Sequence, residues 1–281
     1  MARLLAILVG LGFVFVAAVS FVTGLFTWFS AEEGEGSHAA YEHPRHFDFS
    51  FNGPFGQYNE QQLQRGFQVY KEVCSGCHSL NLIAFRNLHD LGYSEAEVRA
   101  IADQWAIQVP SVNPDTGEAA TRKAIPSDHF PSPYPNETAA RAANNNANPP
   151  DLSLIAKARE GGAAYIASLL TGYRQAPQGH EVPQGLHYNV YFSNLNIAMP
   201  PPLTADGQVT YADGTQPTRD QMAQDVAAFL TWSAEPNLER RHQMGIAVVL
   251  FLLGATVLAY FAYRNVWADR KVKKRKAQPV A

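Results

Sequence analysis

The sequence predicts a mostly helical fold, and three observations carry that expectation. Apolar residues recur at helical spacing in several segments. Two uncharged runs, one near each end, are each long enough to cross a bilayer. Between them no strand-rich block or internal repeat stands out. The 281 residues have an ordinary globular composition, with 17% charged side chains and 46% hydrophobic ones. Length and the two flanking runs leave a polar, proline-containing stretch of about 200 residues as the folded domain.

The first run, Leu4 to Phe29, has no charged residue. At about 1.5 Å per residue it exceeds the roughly 30 Å hydrocarbon core. Residues 1–30 therefore read either as a signal peptide, with Arg3 as its positive start and cleavage near Ala39, or as a retained N-terminal transmembrane helix. The run is longer than the apolar core of an ordinary signal peptide. Residues 31–57 read as a linker and an approach to the domain. Glu32 to Gly36 is acidic and flexible, and Phe47 to Phe55 interleaves aromatics with polar residues around Gly53-Pro54.

Residues 58–236 are expected to form the domain. A helix should begin near Asn59, because Leu63, Phe67, Tyr70 and Cys74 fall at spacings of four, three and four on one face. That face leads into Cys74-Ser75-Gly76-Cys77-His78, the C-x-x-C-H pattern of c-type haem attachment. Two thiols three positions apart can each add to a porphyrin vinyl group, and the histidine that follows then lies under the iron. The chain has two cysteines, both here, so no disulfide framework is available. A structural zinc site would want further ligands at close spacing, and the other histidines form no such pair. A thioredoxin-like dithiol would want a βαβ pattern, which is not seen. The motif predicts one covalently bound haem c, with the helix stripe packed on the porphyrin.

Beyond the motif, Ser94-x-x-Glu97 has the form of a capping box, followed by Val98, Ile101, Ala102 and Trp105 in a helix ending near Gln104. From Val109 to Pro150 prolines and asparagines predict a long ordered loop. A helix is expected from near Asp151 to Tyr173, with Gly172 as its cap. Gly179 to Asn196 is rich in turn residues. Thr218-x-x-Gln221 is a second capping box, opening a helix whose Met222, Val226, Phe229 and Leu230 form the buried face and which Pro236 ends. Residues 237–267 then form a C-terminal transmembrane anchor helix, uncharged from Met244 to Tyr263, and residues 268–281 a basic cytoplasmic tail.

Charge is segregated. From Arg264 onward seven basic residues face the single acid Asp269, which leaves 15 basic and 24 acidic residues elsewhere, a net of −9. The positive-inside rule puts the tail in the cytoplasm and the haem domain outside, on the side where covalent haem is attached. Beside a membrane span the basic tail reads as topology and lipid contact, with no nucleic-acid partner expected.

A haem that carries electrons usually has both axial positions filled, often by His and Met. Met199 stands in Ala198-Met199-Pro200-Pro201-Pro202, where prolines stiffen the backbone. His129, His180 and His187 remain alternatives for the second position.

The chain resembles the cytochrome c1 family, the haem-bearing subunits of the cytochrome bc1 complex, from about Tyr58 to Trp267. The resemblance rests on Arg65-Gly66-Phe67-Gln68-Val69-Tyr70-Lys71 leading into the haem motif and on Pro133-Tyr134-Pro135-Asn136. It rests also on Pro149-Pro150-Asp151-Leu152-Ser153, Leu169-Leu170-Thr171-Gly172-Tyr173, Met199-Pro200-Pro201-Pro202-Leu203 and Asp225-Val226-Ala227-Ala228-Phe229-Leu230. It implies a cytochrome c-like haem domain with long loops. Cys74 and Cys77 would hold the haem thioethers, and His78 and Met199 would be the axial iron ligands. Arg159 would pair with a haem propionate, with Tyr165 and Pro150 lining the pocket. On its own, Arg159 reads as a solvated helix residue.

The implied function is transfer of single electrons from the Rieske iron–sulfur protein to a soluble or membrane-tethered cytochrome c, with cytochrome b as a further partner. The implied location is a bacterial cytoplasmic membrane, haem domain periplasmic. Two rivals are a haem relay of another respiratory complex and a ligand-binding sensor or peroxidase with an open axial site.

Overall fold

The computed structural model describes residues 2–30 and 41–268. The acidic segment Glu32–Gly36, the cleavage point near Ala39 and the basic tail beyond Ala268 lie outside the described residues. The fold is mostly helical, as expected. Helices α1 (Ala2–Ser30) and α8 (Leu238–Val266) are each long and apolar enough to cross a membrane, and most of the apolar side chains described on them are exposed, with Leu238 at the start of α8 buried.

The domain between them is built on two crossed helices, α2 (Glu60–Val69) and α7 (Arg219–Ala234). They meet where Gly66 lies against the Asp225 backbone and Phe229. A Cβ at Gly66 would collide with both, so the close crossing needs glycine. Arg65, next to it, binds Asp225 with two nitrogens at 2.9 and 3.2 Å and Asp213 at 2.7 Å. Asp225 is fully buried, and this forked pairing compensates its charge.

The stripe Leu63, Phe67 and Tyr70 is buried in protein rather than facing a cofactor. Phe67 lies 5.7 Å from Phe229, 6.1 Å from Phe130 and 6.5 Å from Trp105, and Tyr70 lies 5.7 Å from Phe229. Helix α7 and the Phe130 loop supply the apolar surface that the haem was expected to supply, and only the end of the stripe at Cys74 reaches the motif.

Three elements differ from the sequence expectation. The approach segment belongs to the core: Phe47, Phe49 and Phe51 are buried and stacked at 5.8 and 5.0 Å, with Tyr58 at 5.3 Å from Phe51. Their alternation places all three on one side of an extended chain. The expected loop from Val109 to Pro150 contains an antiparallel hairpin, β1 (Val109–Val112) with β2 (Ala119–Arg122), and helix α4 (Glu137–Ala143). The helix expected from Asp151 to Tyr173 is two, α5 (Ile155–Ala158) and α6 (Gly162–Thr171). Gly161 and Gly162, at φ 81° and 51°, break it.

Other expectations hold. Ser94 and Glu97 form a full capping box on α3 (Glu95–Asp103), and Gly172 caps α6. Thr218 caps α7 through the Gln221 amide, but the Gln221 side chain turns to Asp225 instead of completing the box. A second small hairpin joins β3 (His187–Tyr188) to β4 (Asn196–Ile197) in the turn-rich stretch.

Candidate haem site

The attachment motif begins where α2 changes pitch. Tyr70–Cys74 is a π-helical turn, closed by the Ser75 amide donating to the Tyr70 carbonyl at 2.8 Å. Such turns re-aim the residues that follow them and recur at functional sites. Immediately after, the amides of Cys77 and His78 both donate to the Cys74 carbonyl, at 3.1 and 2.9 Å. Both thiols and the imidazole are thus carried on one tight turn at the end of a core helix. Cys74 is partly buried, Cys77 is exposed, and both are free thiols. Burial, and next the Cys77 sulfur, push the Cys74 thiol up to about 12.

The His78 ring is fixed from the far end of the domain. Its Nδ1 donates to the Pro150 carbonyl at 2.8 Å. A carbonyl only accepts, so the proton is on Nδ1 and Nε2 keeps the lone pair that a metal needs. Burial lowers the imidazole's proton affinity and outweighs the opposing pull of Pro150 and Asp151, which keeps the ring neutral. Tyr70 adds a hydrogen bond from its hydroxyl to the His78 carbonyl at 3.2 Å.

Pro150 is held by its neighbour. One oxygen of Asp151 accepts from the Ser79 hydroxyl and the Asn81 amide, both at 2.8 Å, and the other accepts from the Ser153 amide at 2.9 Å. Burial alone would raise this carboxyl, but those donors hold it below the usual range. The Leu152 amide donates to the Ser79 carbonyl at 2.9 Å, so the loop is pinned along its length to the residues just after the motif.

Met199 follows β4 and is partly buried. The Tyr173 hydroxyl, buried at the end of α6, donates to its carbonyl at 3.0 Å. Burial raises the Tyr165 hydroxyl, and the positive charge of Arg159 opposes that rise. Arg159 itself is exposed and extended at the break after α5, with Nη1 donating to the Ala158 carbonyl at 3.0 Å. It is not a helix residue: the glycine break frees its side chain. The structure thus joins Cys74, Cys77, His78 and Pro150 in one group, and Tyr173 with Met199 in another.

Two of the three alternative histidines are hydrogen-bonded within the protein. His129 donates to the Asn81 carbonyl at 2.6 Å, and His180 packs edge-on against Tyr188 and bonds Asn196. His187 lies in β3. Sequence reasoning missed Asp151 and Tyr173 as positioning residues, although both stand inside the motifs it singled out.

These residues fit a covalent haem. The two cysteines are outside any disulfide, His78 on the same turn keeps its Nε2 lone pair for a metal, and Met199 offers a thioether on a proline-stiffened segment.

The family model described as the Cytochrome C1 family matches residues 49–270. A cytochrome c1 of Rhodospirillum rubrum is 46% identical over 240 residues, covering 80% of this chain and 87% of its own length. A mitochondrial haem protein of Solanum tuberosum, cytochrome c1-2, is 44% identical over 258 residues, covering 92% of this chain and 96% of its own. A protein of Bradyrhizobium diazoefficiens named cytochrome b/c1 is 46% identical over 243 residues, or 79% of this chain, which spans 35% of that longer protein.

Proposed function

The chain belongs to the cytochrome c1 family, the membrane-anchored haem subunits that carry electrons in the cytochrome bc1 complex, and we propose how its residues do so. A covalently held haem c supplies a one-electron Fe(III)/Fe(II) couple, with no bond made to a substrate. Cys74 and Cys77 tether it. His78 provides the proximal nitrogen, oriented by the Pro150 carbonyl, and Met199 the distal sulfur, its backbone held by Tyr173. Methionine in that position raises the potential above that of a two-histidine site. Arg159 offers an exposed guanidinium to a haem propionate, with Tyr165 assigned to the pocket lining by the family resemblance.

The observation that carries this reading is the His78–Pro150 hydrogen bond, since it fixes a neutral imidazole next to two free thiols. The electron donor is the Rieske iron–sulfur protein and the acceptor a soluble or tethered cytochrome c. Cytochrome b is the membrane partner, a pairing supported by the fused name of the Bradyrhizobium relative. The haem domain faces the periplasm or its equivalent, with the basic tail on the opposite side, as the charge segregation argues. Excess acid in the domain speeds encounter with a basic acceptor.

Affinity purification of the chain from its native membranes tests the assembly: cytochrome b and the Rieske protein should co-purify and support quinol-to-cytochrome c turnover. Turnover should slow as salt rises. A red protein isolated without either partner, or turnover indifferent to ionic strength, contradicts the corresponding part.

A further inference from the structure

Phe55 is the most exposed large apolar residue among the described residues between the two spanning helices, at 75% exposure. It sits on a rigid turn. The Gly56 amide donates back to the Gly53 carbonyl at 3.3 Å, and the Gln57 amide donates to the Ser50 carbonyl at 3.0 Å. Gly53 takes φ 80°, and a Cβ at Gly56 would strike the Phe51 carbonyl, so the turn is closed tightly against the core. From Phe49 to Asn59 no side chain is charged.

The turn is also fixed to the anchor helix. His242 Nδ1 donates to the Gly56 carbonyl at 3.1 Å, and the Tyr58 amide donates to Glu239 at 2.8 Å. His242 stands two residues before Met244, where the uncharged stretch of α8 begins. Phe55 is therefore carried at the level where α8 passes from polar to apolar, on the turn bonded to His242, two residues after the exposed Arg240. Aromatic side chains are favoured at that depth, and cations there meet lipid phosphates.

We propose that the Gly53–Gly56 turn is a second membrane contact of the domain, with the Phe55 ring seated at the boundary between lipid headgroups and acyl chains. The partner is the bilayer itself. This rests on α8 being the membrane anchor. With α8 it gives the domain two points of support, which restrains its tilt.

A spin label tests it. With Cys74 and Cys77 consumed by haem, Phe55→Cys creates the sole free thiol, on an exposed position that leaves the core untouched. The labelled holoprotein is examined within the assembled complex in lipid nanodiscs. The expected result is more frequent collision with dissolved oxygen, which concentrates in the bilayer, than with a water-soluble nickel chelate. The reverse order, a label in water, overturns the proposal. So does a label shielded from both, which would mean a protein partner covers the turn. Leu258→Cys, within the uncharged stretch of α8, separates the two readings. An oxygen-accessible label at 258 with a water-exposed label at 55 leaves the anchor standing and removes the second contact.

Discussion

His78 Nδ1 lies 2.8 Å from the Pro150 carbonyl, a contact spanning 72 residues of chain. It fixes the tautomer of the proposed proximal ligand by means of a backbone atom, so no side-chain substitution at 150 removes the acceptor. The loop is vulnerable through Asp151, which accepts three hydrogen bonds from Ser79, Asn81 and Ser153. Asp151→Ala should cost about 3 kcal/mol, since hydrogen bonds to a charged, partly buried group are worth more than neutral ones. Denaturant unfolding of the holoprotein checks it, and Asp151→Asn should fall between the two.

Arg65→Met should destabilise the domain by about 3–5 kcal/mol, because it strands the fully buried Asp225 without its cation. The haem spectrum of the surviving folded fraction should be unchanged, as the pair lies on the α2–α7 crossing. Unfolding midpoints and visible spectra of the same samples separate the two effects.

Arg159→Ala should leave stability within about 0.5 kcal/mol, since its side chain is exposed and bonds only near neighbours. With Arg159 at a propionate, as proposed, removing its cation favours the more positive oxidised state, so the midpoint potential should fall. Redox titration measures it, and an unchanged potential would put the guanidinium away from the propionates.

Glu235 ties three segments together. Its carboxylate pairs with Lys157 and with Arg241 of the anchor, while its carbonyl accepts from the Tyr58 hydroxyl at 3.1 Å. Partial burial opposes its ionisation, but the Arg241 and Lys157 contacts prevail and hold its pKa below the ordinary 4.5. The folded value lies below the unfolded one, so the contribution is present above pH 4.5 and lost as pH falls through the folded value. Stability measured from pH 6 down toward about pH 3 should drop less steeply in Glu235→Gln than in the parent.

What the sequence made legible was local. The Cys74–His78 motif and the Ser94–Glu97 box depend on residues a few positions apart, and both appear as expected. The Arg159 break was hidden because Ile155–Ala158 and Ala163–Leu170 share one helical pattern, and the pattern does not show that Gly161 and Gly162 take positive φ, with Gly161 close to Pro44 and Tyr165 and Gly162 close to the Ala156 carbonyl. The hairpin after Val109 was missed because Ala119–Arg122 has little strand character, although Asn113-Pro114-Asp115-Thr116-Gly117 spells a turn. Phe47, Phe49 and Phe51 alternate visibly, yet only the folded domain shows that one face of that strand-like segment is core. The haem stripe was misjudged for a similar reason: sequence periodicity marks a buried face without saying what buries it.

The most direct test of the central claim is carbon monoxide binding to the reduced protein, in the parent and in Met199→Leu. On the proposal that His78 and Met199 fill both axial positions, the parent spectrum should not move when the gas is added. The leucine variant, its sixth position open, should shift at once and lose quinol-to-cytochrome c turnover while keeping its covalent haem. Ready binding by the parent, or normal turnover in the variant, would contradict the account.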